Sequence, residues 1–174
     1  MQQKTAKPLP RAPLYTPEER RRRDTSGWTL VQGLLAPVQF LVFLTSLALV
    51  LRYLDTGAGE TAATISVVVK TLTLYLIMIT GAIWEKVVFG RYLFAPAFYW
   101  EDVFSMLVLA LHTAYLIALA TDSLGATGRM ELALAAYLTY VINAGQFVLK
   151  LRTARLDQAK GPVSAGSAPM AIAE

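Results

Sequence analysis

Four long apolar stretches run along the chain, separated by short segments that contain Gly, Pro and charged residues. They cover residues 28–54, 61–84, 103–121 and 130–149. Each is about as long as the roughly 20 residues that a helix needs to cross the hydrocarbon core of a bilayer. None alternates strictly between apolar and polar residues as a barrel strand does, and a spanning segment must satisfy its own backbone hydrogen bonds. The pattern predicts an all-α, integral membrane bundle of four transmembrane helices.

The segments outside the apolar stretches divide the chain into three parts. Residues 1–27 form a basic N-terminal segment, residues 28–150 form the four-helix transmembrane domain, and residues 151–174 form a tail. Much of this tail is Ala, Gly, Ser and Pro, a composition that cannot build a packed core. The sequence therefore predicts that the tail is disordered.

The positions of Lys and Arg predict the orientation. Of 16 such residues, seven lie in residues 1–27, two in the linker between the second and third spans, and four from Lys150 onward. These 13 lie on one side of a four-span topology. Arg52 and Arg129 lie on the other side, and Lys70 lies within a span near enough to that side to extend its ammonium to the surface. The positive-inside rule predicts that both termini are cytoplasmic.

The composition agrees with a membrane protein and excludes several other classes. The chain is 55% hydrophobic and only 16% charged, whereas about a quarter of the residues in a soluble domain are charged. The net charge of +4 follows from the orientation bias, and the basic run at residues 20–23 is more typical of contact with anionic lipid than with nucleic acid. The absence of Cys excludes disulfides, Cys–metal sites and thiol nucleophiles.

Most polar residues within the spans fall in the predicted cytoplasmic half of the bundle or at its rim. They are Gln32, Gln39, Thr80, Glu85, Glu101, Asp102, Ser105, Asn143 and Gln146, with His112 deeper as the floor of the set. Because polar side chains are costly inside a bilayer, their placement is the best local indication of function. The set predicts a polar pocket that opens toward the cytoplasmic leaflet.

A purely structural interpretation accounts for many of these residues equally well. Gln and Asn side chains often only hydrogen-bond one membrane helix to another, at about 1 kcal/mol or less each. The acidic residues lie where helices meet water, so they also fit a solvated rim. His112 is harder to explain, because it is the only histidine and lies near mid-membrane. It fits a general acid or base, a metal ligand or a hydrogen-bonded packing residue, and could supply one axial ligand to a metal held in a tetrapyrrole.

Two further features fit a large, flat, hydrophobic ligand. Ala110, Ala114 and Ala118 form a ridge of small residues on the third span, and the second linker with its flanks is dense in aromatic residues, beginning at Trp84. A helix-packing ridge, which would suit self-association, explains the first feature without a ligand. An interfacial aromatic belt explains the second.

Several blocks of sequence resemble one known family. The longest reads GAIWEKVVFGRYLFAPAFYWEDV from Gly81 to Val103, and others are LYTPEERR from Leu14, WTLVQG from Trp28, APVQF from Ala36 and YVINAGQF from Tyr140. Over roughly residues 14–155 the chain resembles the 3-vinyl bacteriochlorophyllide hydratase family. Charged and aromatic residues recur in a fixed order through the long block, which makes the resemblance specific.

This resemblance implies an enzyme of bacteriochlorophyll synthesis, a hydro-lyase in the inner, photosynthetic membrane of a phototrophic bacterium. Water adds to the C3 vinyl group of a chlorophyllide-type tetrapyrrole and gives a 1-hydroxyethyl group. The resemblance implies no cofactor, because magnesium arrives as part of the substrate. The partners it implies are the pigment, water and membrane lipid, with a second copy or other pigment-biosynthesis enzymes as candidate protein partners. It transfers no catalytic residues by position.

The chemistry of the reaction suggests roles for the polar residues. Hydration of this alkene requires a proton on the terminal carbon and then water at the carbon beside the ring. We predict that Glu85, Glu101 or Asp102 is the acid, that Asn143 and Gln146 position water, and that His112 binds the substrate magnesium or transfers protons. Gln32, Gln39, Trp84 and Ser105 complete the predicted substrate-binding set. The alternative is a protein that binds a pigment or quinone without reacting, as an assembly or carrier protein.

Overall fold

The computed structural model describes residues 14–159, which form five α-helices. They are α1 (Pro17–Thr25), α2 (Gly27–Thr56), α3 (Glu60–Phe89), α4 (Tyr99–Ala120) and α5 (Gly125–Ala159). Helices α2 to α5 are each long and apolar enough to cross a membrane. The predicted all-α architecture with four membrane-spanning helices is therefore confirmed, and each predicted span coincides with one of these four helices, with only Thr121 lying beyond the end of α4.

Contacts at the two ends show that the four long helices run alternately up and down. At one end, Trp84 Nε1 donates to Thr29 Oγ1 at 2.9 Å, and Lys150 contacts Glu101. This end, which carries the α3–α4 loop of residues 90–98, is called the loop end. At the other end, called the opposite end, Arg129 bridges Asp122 at 2.9 Å and Glu60 at 3.6 Å. The loop end is the one for which the sequence predicts a cytoplasmic location.

Helix α1 was not predicted within the basic N-terminal segment. It begins with a capping box, in which Thr16 Oγ1 accepts from Glu19 N at 3.2 Å and Glu19 Oε2 accepts from Thr16 N at 2.8 Å. Pro17 at the first helical position favours the same start. Just before the helix, the Tyr15 ring stacks on Phe89 of α3, with centroids 5.7 Å apart. This contact fastens the N-terminal segment to the loop end of the bundle.

The predicted boundary of the C-terminal tail was wrong for residues 151–159. These residues continue helix α5 to Ala159, because Leu, Arg and Ala in this stretch are good helix formers and extend the preceding helix without a new nucleation step. The remainder of the predicted disordered tail, residues 160–174, lies outside the described residues.

The outer surfaces of the four spans are apolar. Only 22% to 28% of the most hydrophobic part of each span is buried within the protein, and large side chains such as Leu30, Ile79 and Leu138 are more than 60% exposed. Such a surface requires lipid around it.

The alanine ridge predicted on the third span is not uniformly exposed, since Ala118 is buried whereas Ala110 is exposed. Self-association through this ridge stays a prediction.

The helices are arranged as two hairpins. Helix α2 packs chiefly on α3, and α4 packs chiefly on α5, while fewer contacts join one hairpin to the other. We call the interface between the hairpins the seam. Toward the opposite end, the seam holds an apolar cluster around Phe43, Val67 and Tyr115. Polar pairs also cross it, for example Ser46 of α2 with Tyr137 of α5, whose hydroxyl oxygens lie 2.5 Å apart.

Candidate active site

A pair of carboxyl groups lies in the seam near the loop end. Glu85 of α3 and Asp102 of α4 are 5% and 3% exposed, and hydrogen bonds from two consecutive loop residues hold their carboxyl groups side by side. The α3–α4 loop covers them. Phe94 N donates to Asp102 Oδ2 at 2.8 Å, and Ala95 N donates to Glu85 Oε2 at 3.3 Å. Two buried carboxyl groups held side by side favour sharing one proton, because two carboxylates would repel each other.

The loop takes a strained conformation to reach this pair. Phe94 has a φ of +58°, in the left-handed region that non-glycine residues rarely adopt. The surrounding structure must hold such a residue in place. The hydrogen bond from its backbone N–H to Asp102 provides one restraint, and the buried Ala95 beside it provides another. The loop conformation therefore positions two backbone donors over the carboxyl groups, and their hydrogen bonds in turn hold the loop in that conformation.

The helix ends distinguish the two carboxyl groups. Asp102 lies in the first turn of α4, where the helix dipole stabilises a negative charge. Glu85 lies about one turn before the C-terminal end of α3, where the dipole disfavours a negative charge. Asp102 also accepts the shorter backbone hydrogen bond. These three observations favour a proton on Glu85 and a negative charge on Asp102.

The neighbouring acidic residue has a different partner. Glu101 Oε2 accepts from Lys150 Nζ of α5 at 2.5 Å, with the two side chains 10% and 25% exposed. The same ammonium lies 5.0 Å from the centroid of the Phe98 ring. This ion pair joins α4 to α5 at the rim, beside the carboxyl pair. Glu101 is thus engaged with Lys150 of α5 rather than with the carboxyl pair.

Acceptor groups lie about one helical turn deeper than the carboxyl pair. Asn143 Nδ2 of α5 donates to Ser105 Oγ of α4 at 2.8 Å. Asn143 Oδ1 and Gln146 Oε1 are both buried, and no donor within residues 14–159 reaches them. Unpaired buried acceptors are costly, and each of these oxygens could accept a hydrogen bond from a water molecule.

The predicted residues of α2 and the end of α3 hold these two helices together. Gln32 Nε2 donates to Thr80 Oγ1 at 2.7 Å, and Trp84 donates to Thr29 as described above. Gln39 is 4% exposed on the same helix as Gln32. The structural interpretation of Gln32 is thus supported by a specific contact, while Gln39 lines the buried side of α2.

The aromatic residues of the second linker divide into two groups. Phe98 is 2% exposed and packs with Trp84 and Phe89, each at a centroid distance of 5.8 Å. Tyr92 and Trp100 are 62% and 67% exposed. The first group forms a packed wall at the loop end, and the second has the exposure of an interfacial belt.

His112 does not lie beside the carboxyl pair. It is ten residues further along α4 than Asp102, which corresponds to about 15 Å along the helix axis. The imidazole is fully buried, with Nδ1 2.8 Å from the Val108 carbonyl oxygen. That carbonyl can only accept, so Nδ1 carries the proton and Nε2 has its lone pair free. Within the described residues Nε2 has no hydrogen-bond partner.

The expectation that Lys70 extends to the membrane surface was wrong. Its side chain is 0% exposed, with Nζ 3.9 Å from the centroid of the Tyr140 ring across the seam. His112 packs on Tyr137, with ring centroids 5.8 Å apart, and Tyr137 lies one turn from Tyr140 on α5. Lys70 and His112 therefore lie in the same part of the seam. Lys70 points into the bundle because α3 presents it on the same face as the buried Val67 and Thr71. Sequence periodicity could have shown this, since Lys70, Leu74 and Val67 are spaced like a buried stripe.

The site residues suit acid–base chemistry more than binding of a metal by the protein. Within the described residues, no group of three or more His, Asp or Glu side chains is arranged to hold a metal ion. One free imidazole nitrogen can nevertheless offer a single ligand to a metal that a bound molecule brings. The carboxyl pair can donate a proton, and the free amide oxygens can orient water.

Comparisons with known proteins identify the family. The model of the 2-vinyl bacteriochlorophyllide hydratase family matches residues 15–153. A curated 2-vinyl bacteriochlorophyllide hydratase of Cereibacter sphaeroides is 66% identical over 155 residues, covering 89% of this chain and 96% of the relative. A second, of Rhodobacter capsulatus, is 67% identical over 152 residues, covering 86% of each chain. No solved structure matches the chain.

These matches confirm the resemblance noted in the sequence, since position 2 in the older tetrapyrrole numbering is the position now numbered 3. The match covers α1 to α4 and most of α5, and so includes every candidate site residue described above. The chain therefore belongs to the 2-vinyl bacteriochlorophyllide hydratase family.

Proposed function

We propose that this protein hydrates the 3-vinyl group of a chlorophyllide- or bacteriochlorophyllide-type macrocycle to a 1-hydroxyethyl group. The observation that carries the proposal is identity of 66% to 67% with two curated hydratases over nearly the whole chain. This identity favours the hydratase over the alternative of a non-catalytic pigment or quinone carrier. The reaction needs no redox cofactor from the protein, because water adds across one double bond without a net change in oxidation state.

The buried carboxyl pair is the proposed proton source. Glu85 donates its proton to the terminal vinyl carbon, and the π electrons of the double bond form the new C–H bond. The cation left on the carbon beside the ring is conjugated with the macrocycle, and the negative charge on Asp102 stabilises it. Water attacks that carbon, and its extra proton returns to the carboxyl pair. Glu85 is then ready for a second turnover.

The free amide oxygens are the proposed water-positioning groups. Asn143 Oδ1 and Gln146 Oε1 can each accept a hydrogen bond from the attacking water, which leaves an oxygen lone pair directed at the substrate carbon. Ser105 fixes the orientation of Asn143 through its hydroxyl group. Gln32 and Trp84 contribute to the substrate site mainly by holding α2 and α3 together, and Gln39 lines the buried side of α2.

For His112 we propose the role of ligand to the magnesium of the substrate. Its Nε2 is free, whereas its distance along α4 from the carboxyl pair makes direct proton transfer to that pair impractical. In this arrangement the macrocycle lies in the seam, with its centre near His112 and its vinyl group toward the loop end. The sparse contacts between the hairpins allow such a flat molecule to enter from the lipid.

The function is tested by incubating the purified protein with a 3-vinyl bacteriochlorophyllide in ¹⁸O-labelled water. We expect the pigment to gain the mass of one water molecule, with the label retained in the new hydroxyl group. Mass spectrometry of the extracted pigment measures both quantities. Recovery of unchanged pigment bound to the protein would instead support a carrier.

We propose that the loop end faces the cytoplasm, because 13 of the 16 Lys and Arg residues lie on the loop-end side of the bundle. In keeping with the family, we propose the bacterial inner membrane as the location. The chain has no Cys, so single cysteines can be introduced without background. In intact spheroplasts, a membrane-impermeant maleimide is expected to label Ala58→Cys in the α2–α3 loop but not Arg91→Cys in the α3–α4 loop. Labelling in the reverse pattern would invert the topology.

A further inference from the structure

Lys70 is an ionisable group that the proposed hydration step does not use. It lies in the middle part of the bundle, fully buried, and no hydrogen-bond acceptor within residues 14–159 reaches its Nζ. Its one close polar contact is the face of the Tyr140 ring at 3.9 Å. A cation–π contact of this kind offsets only part of the free energy that burial of an ammonium costs.

An unpaired ammonium in the hydrocarbon region therefore requires another explanation. Ionisable residues inside membranes usually face a ligand or a cavity and mark the site where it binds. Lys70 lies on the seam side of α3, opposite Tyr140 of α5, so a ligand entering the seam passes between the two hairpins and meets the ammonium. The natural partner for such a group is an anion with oxygen acceptors, because Lys supplies three donors and a full positive charge.

The proposed substrate carries a group of this kind. A chlorophyllide differs from the corresponding chlorophyll in having a free carboxyl group where the chlorophyll has a long-chain ester. Lys70 contacts Tyr140 and His112 packs on Tyr137, one turn away on α5, so the free Nε2 of His112 lies in the same part of the seam as the ammonium. A macrocycle centred on that nitrogen would place a carboxylate on a short side chain within reach of the neighbouring ammonium.

We infer that Lys70 recognises the free carboxylate of the macrocycle and makes the protein selective for the acid form of the pigment over its esters. This inference rests on the proposed function. The carboxylate replaces water as the partner of the buried ammonium, and the pair fixes the rotation of the macrocycle in the seam. The vinyl group on the far side of the His112–Lys70 region is then directed toward Glu85 and Asp102.

The experiment compares a 3-vinyl bacteriochlorophyllide with its methyl ester, using wild type, Lys70→Met and Lys70→Arg. For wild type we expect a KM at least tenfold lower for the acid, because a charge-assisted hydrogen bond is worth roughly 1.5–3 kcal/mol. Lys70→Met should raise the KM for the acid to that for the ester, leaving kcat for the ester within a fewfold of wild type. Lys70→Arg should retain the preference for the acid. Lys86→Met, which removes an exposed lysine from the same helix, is the matched control.

A second readout is independent of turnover. Without pigment, Lys70→Met is expected to melt at a higher temperature than wild type, because an apolar side chain replaces an unpaired buried charge. The acid pigment should raise the melting temperature of wild type clearly more than that of Lys70→Met. The ester should stabilise both proteins equally.

Each outcome has a separate meaning. If wild type hydrates neither pigment, the proposed function fails. If wild type hydrates both with the same KM, or if Lys70→Met keeps the preference for the acid, carboxylate recognition by Lys70 is wrong and the hydratase function stands. If Lys70→Met hydrates neither pigment, the melting temperatures decide. An equal rise in the melting temperature of wild type and variant on addition of the acid pigment would overturn the inference.

Discussion

Hydration is expected to slow by about 10²- to 10⁴-fold when Glu85 is replaced by Gln, the range that general acid catalysis typically contributes. The amide has nearly the same shape and can still accept from Ala95 N, but it cannot protonate a vinyl carbon. The variant should therefore fold and bind pigment normally while losing turnover. Initial rates with purified protein in detergent, together with pigment binding measured from the absorption spectrum, separate these two effects.

Two other acidic residues make the assignment specific. Glu131→Gln alters an exposed carboxyl group on α5 and should leave the rate unchanged. Glu101→Gln breaks the ion pair with Lys150 and should lower stability more than it lowers the rate. If Glu85→Gln retains most of the hydration activity while Glu101→Gln loses it, the proton comes from Glu101. The role proposed for the carboxyl pair would then be wrong.

Loss of Lys150 should destabilise the protein. In Lys150→Met, Glu101 keeps its charge in a site where it is only 10% exposed, without the ammonium 2.5 Å away. Breaking a fully buried pair costs 3–5 kcal/mol, but because Lys150 is a quarter exposed we expect a smaller loss of about 1–3 kcal/mol. The free energy of unfolding, measured with a denaturing detergent, checks this value.

A double-mutant cycle identifies the cause of that loss. Glu101→Gln combined with Lys150→Met removes the unpaired charge as well, so the double variant should recover at least half of the stability that Lys150→Met loses. Lys86→Met alters an exposed lysine at the same end of the bundle and should have little effect. Equal destabilisation of the single and double variants would mean that the lost packing against Phe98, rather than the charge, holds α4 to α5.

The sequence indicated the site in outline because helical spacing limits which residues can meet. Asn143, Gln146 and Lys150 are separated by three and four positions, which places them on one face of α5. Their partners on α4, Ser105 and Glu101, follow from the antiparallel order of the two helices. Spacing along one helix could not reveal which acidic residue of α4 pairs with Lys150 and which with Glu85. That choice depends on the rotation of α4 relative to α3 and α5.

The predicted position of His112 shows the same limit. Counting residues gave its depth as the floor of the polar set, three turns of α4 from Asp102. It could not show that the ring packs on Tyr137 of α5, one turn from the Tyr140 that contacts Lys70. The prediction for Lys70 was wrong because it relied on the reach of a lysine's long apolar stem and not on the buried stripe to which the spacing of Val67, Lys70 and Leu74 assigns it. Here Tyr140 and the seam hold the ammonium inside.

By itself, the sequence determined that the chain crosses a membrane four times as helices, because a run of about 20 apolar residues has no other stable form in a bilayer. The family was evident too, in the ordered blocks that the relatives share. The tertiary structure decided which polar residues meet across the seam, that the α3–α4 loop closes over Glu85 and Asp102, and that Lys70 turns inward. These contacts join residues on different helices, so they depend on the relative rotation and depth of the helices, which hydrophobicity along a single chain does not specify.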